Sequence, residues 1–405
     1  MAGPLTGIRV LDLSRILAGP WATQCLADLG AEVIKVERPD VGDDTRTWGP
    51  PFFEDGDKPV SAYFMCANRG KKSVTIDFTK PEGQALIKKL AEKSDILVEN
   101  FKVGGLARYG LDYESIKAVN PGLIYCSITG FGQTGPYKDR PGYDALIQAL
   151  GGLMSITGEP DGMPGGGPQK VGVAVTDLFT GLYSTIGILG ALHHKARTGE
   201  GQHIDMALMD TQVAVLANQS MNYLVSGKEP KRLGTAHPSI VPYQVFASAD
   251  GHMMLAVGND GQFARFCVAA GMPEVAADPR FKSNPGRVEN REALIPLVAE
   301  AIARKTTDEW IALLEAHNVP GGPINTMERV FDDPQVEARG VALALKAEDG
   351  SIMPSVANPI HYSGTEISYD KAPPALGADT DDVLKDVLGV TDDNLKLVRA
   401  SKVLG

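Results

Sequence analysis

Alternation is the feature that most limits what this chain can fold into. Across the first 150 residues, short apolar runs rich in Val, Ile and Leu trade places with longer amphipathic segments. "IRVLDLS" reads as a strand, "AGPWATQCLADLG" as a helix opened by Pro20 and closed by Gly30, and "AEVIKVE" as the next strand. After a loop rich in Gly, Asp and Pro come "SVTIDF", the helical "PEGQALIKKLAEKS", the strand "DILVENF", a short helix and "GLIYCSITGFG". Strands of this texture, separated by helices, are covered on both faces, which predicts a parallel, doubly wound, Rossmann-like α/β sheet. Ligands of such sheets sit at the carboxyl ends of the strands, so the residues just after each strand become the candidates.

Further along, a Gly- and Pro-rich loop, "TGEPDGMPGGGPQKVG", leads to a long apolar helix, and "RTGEGQHIDMALMDTQVAVLANQ" reads as a turn and a second helix. Near residue 225 the texture changes. "YQVFASADGHMMLAVGND" predicts a β-hairpin, and "GQFARFCVAAG", "NREALIPLVAEAIAR" and "TTDEWIALLEAHN" predict helices. The expected division is a large Rossmann-like part over 1–224, a smaller α+β domain over 225–330, and a tail, 331–405, of short strands and one helix near "DTDDVLKDVLG".

Composition removes several classes of function. A net charge of −11 argues against a nucleic-acid or anionic-membrane surface. The N-terminal "MAGPLTGIRVLDLSR" does not read as a signal peptide, and "LFTGLYSTIGILGAL" is too short to span a bilayer. The four cysteines, Cys25, Cys66, Cys126 and Cys267, form no CxxC pair, which suggests a reducing, cytoplasmic setting and no thiolate metal site. No GxGxxG follows the first strand, and GK[ST], HExxH and GxSxG are absent, so dinucleotide, P-loop, metallohydrolase and serine-hydrolase readings lose support.

One carboxylate stands out. Asp177 heads fifteen residues without a charge, at the predicted start of the apolar helix. Capping explains it fully, because exposed N–H groups and the helix dipole stabilise an acid there. The same physics serves a nucleophile: the helix end is expected to keep the carboxylate ionised, and nearby N–H groups stabilise an oxyanion. Arg38 after "VIKVE", Asn100 after "ILVE", Arg108, and the cluster Arg69, Lys71 and Lys72 describe a basic rim suited to phosphates, or simply solvated strand ends. His237 sits in a Gly/Pro-punctuated loop, and Gly258, Asn259, Asp260 and Gly261 form either a helix-entry turn or a small flap.

Long stretches resemble the class III CoA-transferases (the formyl-CoA transferase and carnitine CoA-transferase group). They include "GIRVLDLSRILAGPWATQCLADLGAEVIKVERP", "NRGKKSVTIDF", "SITGFGQTGPYKDRPGYD", "TDLFTGLYSTIGILGAL" and "TGEGQHIDMALMD". "GDDTRTWGPPF", "GTAHPSIVPYQ" and "GPIN" look most like the members that move CoA between dicarboxylic acids, the succinyl-CoA:glutarate CoA-transferases. The resemblance implies that Asp177 attacks an acyl-CoA thioester and passes through aspartyl anhydride and aspartyl-CoA intermediates. It implies that Ile16, Arg38, Ile76, Asn100 and Arg108 contact CoA. Trp48 and Tyr143 would line the acyl pocket, and Gly258, Asn259, Asp260 and Gly261 would close over the intermediate. It further implies CoA thioesters as substrates with no prosthetic group, a large domain built from both chain ends, and an interlocked homodimer.

Two departures sharpen the expectation. The oxalate-using members carry a Gln where this chain has Leu17, which disfavours oxalate, although a formyl-CoA:oxalate reaction stays as the alternative. Racemases of the family place a His at the position of Tyr143, and a phenol with an ordinary pKa of about 10 is a poor base. Racemisation and a purely CoA-binding role are the remaining alternatives. A dicarboxylate also needs a cation for its far carboxylate, for which Arg46 and His237 are the candidates.

Overall fold

The computed structural model describes residues 3–56, 58–367 and 369–405. Two compact units emerge: one comprises residues up to Leu153, Val171–Met221 and Gln335–Gly405, and the other Met154–Lys170 and Asn222–Pro334. The second therefore takes in the Gly/Pro-rich segment before Asp177, which the sequence reading attached to the large domain.

The first unit is built on six parallel strands: β1 (Arg9–Asp12), β2 (Glu32–Glu37), β3 (Lys71–Thr75), β4 (Ile96–Glu99), β5 (Ile124–Thr129) and β6 (His203–Ala207). Their spatial order is β3-β2-β1-β4-β5-β6, the doubly wound Rossmann order, with the switch between β1 and β4. Strand β6 corrects the sequence reading, which placed a turn there. "HIDMA" is a partly exposed edge strand carrying His203 and Asp205, and it runs into the next helix without a loop. Neither a continuous apolar run nor a break marks it.

Helices cover both faces. On one side α1 (Ala18–Asp28) and α4 (Val175–Thr198) pack over Val10, Val33, Ile96, Val98 and Ile124. Gly181 is what lets α4 approach α1, since a Cβ there would lie 2.7 Å from the Ala18 carbonyl oxygen. On the other side α2 (Pro81–Glu92) buries Leu86, Ile87 and Leu90 against Leu11, Ile34, Val74 and Leu97. Helices α3 (Asp144–Leu150) and α5 (Leu208–Val215) pack beside α4. By length and composition α4 could cross a membrane, yet Thr176, Thr180, Gly181, Ser184 and Ile188 face inward.

The second unit holds an antiparallel sheet of β7 (Tyr243–Ala247), β8 (His252–Ala256) and β9 (Gly321–Pro323). Around it pack α6 (Asp260–Ala269), α7 (Arg291–Ile302) and α8 (Thr307–Ala316), the last opened by a Thr306/Glu309 capping box. From Gln335 the chain rejoins the first unit. The hairpin β10 (Ala342–Lys346) and β11 (Ile352–Val356) precedes α9 (Thr380–Leu388), whose Val383 and Leu384 join the core with Val403 and Leu404.

Candidate active site

The loops after all six strands enclose one cavity of about 1050 Å³. Leu13 to Leu17 enter from β1, Arg38 to Asp43 from β2, Ile76 to Thr79 from β3, Asn100 to Gly105 from β4, Thr129 and Gly130 from β5, and Leu208 from β6. Five inter-strand steps of about 4.8 Å make such a groove about 24 Å long, enough for an extended nucleotide thioester. Ile16, Leu17, Arg38, Ile76, Asn100, Arg108, Tyr143 and Asp177 all line it.

A buried ion pair shapes the end near β1 and β2. Lys35 Nζ donates to Asp43 at 2.8 Å and to the Ser14 carbonyl at 2.9 Å, with both charged side chains fully enclosed. Burial alone would push the Asp43 carboxyl up, but the Lys35 ammonium and the Thr45 N–H hold it down at about 2. Asp43 also accepts from the N–H of Ile16 at 3.3 Å, and Ile16 takes a left-handed φ of 71° that a β-branched residue adopts only under constraint. Asn100 completes the clamp: its carboxamide accepts from Arg15 N–H at 2.9 Å and donates to the Arg15 carbonyl at 2.7 Å. Asn100 therefore holds the β1 loop with its side chain. Arg38 shares Asp44 with Arg15, at 3.0 and 2.8 Å, whereas Arg108 stacks 4.5 Å over Tyr109 with no acid partner among the described residues.

Asp177 lies at the other end, in the first turn of α4, half-buried. Asp144 caps this helix from outside, its Oδ1 accepting from Thr176 N–H at 2.8 Å and Asp177 N–H at 3.2 Å. Burial first, and the neighbouring Asp144 charge second, push the Asp177 carboxyl up to about 7. Desolvation and a like charge thus oppose the ionisation that the helix end was expected to favour. Tyr63, which the sequence did not single out, belongs to the same cluster. Burial, then the charges of Asp177, Cys66 and Asp144, raise its phenol to about 12, and its ring meets Trp48 edge-on at 5.0 Å. No fixed spacing links Tyr63 or Asp144 to Asp177, so only the fold reveals them. Trp48 is 40 % exposed and stands outside the cavity lining.

A pH dependence follows. If the Asp177 carboxylate is the reacting form, kcat/KM rises tenfold per unit below about pH 7 and levels off above it. Buried Glu99, pushed up by burial to about 7, titrates in the same range. Asp144→Asn separates the two, because it moves only the Asp177 limb, to lower pH. A profile that is flat from pH 5.5 to 8.5 contradicts the assignment.

Several expected site residues are committed elsewhere. Arg46 is no free cation: Glu37 grips it at 2.7 and 2.8 Å, the Pro374 carbonyl accepts from it, and its guanidinium lies 3.8 Å over Phe64. His237, in the second unit, accepts at Nδ1 from Ser239 N–H at 3.0 Å, and burial together with Arg291 lowers its pKa, which disfavours a charge there. The Arg69, Lys71 and Lys72 cluster faces inward or sideways, paired with Asp28, Asp12 and Glu32 respectively. Gly258 to Gly261 form a helix-entry turn in the second unit. Asn259 caps α6 by accepting from Gln262 N–H, and Asp260 pairs with buried Arg287 at 2.8 Å.

A Rossmann sheet whose long groove is lined by cations and holds a carboxylate of raised pKa defines an enzyme built around an extended anionic substrate. The chain belongs to CoA-transferase family III, whose sequence profile matches residues 5–380, and it is a CoA-transferase. It is 53% identical to a succinate–glutarate CoA-transferase of Agrobacterium fabrum, over 95% of this chain and 96% of that protein. It is 47% identical to the succinyl-CoA:glutarate CoA-transferase of Homo sapiens, over 96% of this chain and 87% of that protein. A crystal structure of a CAIB/BAIF family protein from Brucella suis, 52% identical, superposes with a TM-score of 0.85 over 96% of this chain and 100% of that one.

Proposed function

We propose that this enzyme moves CoA from succinyl-CoA to a dicarboxylate, glutarate foremost, with Asp177 as nucleophile. The observation that carries the reading is the cavity itself, which joins the Arg38/Arg108 end to Asp177 in one groove. Identity of about half the residues with two relatives that use this acid pair supports the choice of substrates.

In the reaction, an Asp177 oxygen attacks the thioester carbonyl and expels CoA thiolate, leaving a mixed aspartyl–succinyl anhydride. The thiolate then attacks the aspartyl carbonyl, releasing succinate and forming aspartyl-CoA thioester. Glutarate attacks that carbonyl and again expels thiolate, and the thiolate finally takes the glutaryl carbonyl, freeing Asp177. Overall one thioester is exchanged for another, so the net reaction is nearly thermoneutral, and the protein must hold the more reactive anhydrides away from water. A carboxylate with a raised pKa is a stronger nucleophile once ionised, which suits the half-buried position. Leu17, buried at the cavity wall, offers no donor to a second short acid such as oxalate. A panel of CoA donors against acceptor acids tests the reading: succinyl-CoA with glutarate is expected among the best pairs by kcat/KM, and formyl-CoA with oxalate as the best pair by far would overturn it.

The same reading includes an interlocked homodimer. Phe179, Leu182, Tyr183, Ile186 and Leu189 form an exposed apolar stripe at helical spacing along α4, with Ile186 62 % exposed, and a second copy of the chain is the occupant proposed here. Ile186→Glu is expected to shift the mass measured by light scattering from two chains toward one and to reduce activity. An unchanged dimer would remove α4 from the interface.

A further inference from the structure

The far carboxylate of a dicarboxylate still needs a partner, since Arg46 is held by Glu37 and His237 uses Nδ1 to accept from Ser239 N–H and is not in the cavity lining. Of the cations that line the cavity, Lys35 is held by Asp43 and Arg15 by Asp44, and the others fall into two groups. Arg38 and Lys402 sit at the β2 and β3 end and Lys102 and Arg108 beyond β4, whereas Lys138 and Arg140 lie on the segment just before Tyr143 and α3. That segment is pinned beside the nucleophile at two points. Gly142 lies against Gly130 at the end of β5, where a Cβ on Gly142 would come within 2.4 Å of the Gly130 Cα, and Asp144 caps the helix that carries Asp177.

Arg140 differs from its neighbour in being preset. Its guanidinium stacks 3.8 Å over the Tyr137 ring, its backbone N–H donates to the Tyr137 carbonyl at 2.9 Å, and no acid pairs with it among the described residues. Stacking occupies the flat face of the fork and leaves its in-plane N–H groups for a carboxylate, which matches them two-to-two.

We infer that Arg140 takes the distal carboxylate of the dicarboxylate, donor and acceptor alike, and so sets the preference for diacids; this rests on the dicarboxylate reading above. Binding of succinyl-CoA and of butyryl-CoA, which has the same carbon chain without the second carboxylate, tests it. The Asp177→Asn background prevents chemistry during titration. There, succinyl-CoA is expected to bind more tightly than butyryl-CoA. Arg140→Ala should weaken succinyl-CoA by about 10- to 100-fold, the loss of a charge-assisted hydrogen-bonded pair, and leave butyryl-CoA within about twofold. Arg140→Lys should recover part of the difference. Equal weakening of both thioesters would place Arg140 on the CoA phosphates, and no weakening of either, or no initial preference for succinyl-CoA, would equally overturn the inference. The donor and acceptor panel fails or succeeds separately, because it reads turnover on the unaltered enzyme.

Discussion

Asp177→Asn is expected to abolish CoA exchange, by on the order of 10⁴-fold or more, while leaving the fold intact and more stable at alkaline pH. Both halves derive from one fact, the burial of a carboxyl raised to about 7. In the unfolded chain an aspartate gives up its proton near pH 3.8, so between there and about 7 the folded state holds a proton that the unfolded state has lost. Stability contributed by Asp177 is therefore full below about pH 4, falls as pH rises from there to about 7, and changes little above. Asparagine mimics the protonated acid and escapes that loss, for a gain of about 1–3 kcal/mol at pH 8 and little at pH 4. Thermal unfolding of both proteins at the two pH values reads the difference. Loss of activity with loss of stability would instead make Asp177 a structural cap.

Asp43→Ala is expected to have the largest effect on folding. It removes the carboxylate that Lys35 bonds directly, leaving the more distant Asp12 and Glu37 to balance its buried charge, and frees the N–H groups of Ile16 and Thr45. Breaking a buried pair from one side costs about 3–5 kcal/mol. Since the native Asp43 carboxyl is held at about 2, its contribution is present above about pH 4 and disappears as pH falls through 2, the opposite direction to Asp177. The double variant Lys35→Met, Asp43→Leu should recover much of the stability without restoring the Ile16 loop, so its KM for CoA thioesters stays raised. Urea denaturation and steady-state kinetics on the three proteins check this. A double variant with normal KM would show that the pair only fills space.

How much of this was legible in the sequence depends on range. Strands β1 to β5 announced themselves because burial on both faces leaves short runs dominated by Val, Ile and Leu, such as "VLDL" and "ILVE", between the helical segments. Edge strand β6 did not, since half of it faces outward and its His203 and Asp205 resemble a turn. Asp177 was visible as a lone charge at a helix start, but the sign of its pKa shift was not, because its burial and the neighbouring Asp144 charge arise only through the fold. Arg46 misled for the same reason. Its partner Glu37 ends one strand and Pro374 lies 328 residues away, so nothing local marks the guanidinium as occupied. Arg140 was passed over because, although its stacking on Tyr137 is local, the placement of that segment beside Asp177 is a tertiary fact.

Trapping the enzyme in the act tests the central claim most directly. Incubated with succinyl-CoA and then hydroxylamine, the protein should yield an aspartyl hydroxamate on the peptide containing Asp177, with CoA thiol released in step with it. Continued exchange of CoA between succinate and glutarate, with Asp177 unmodified and another side chain carrying the label, would contradict the account.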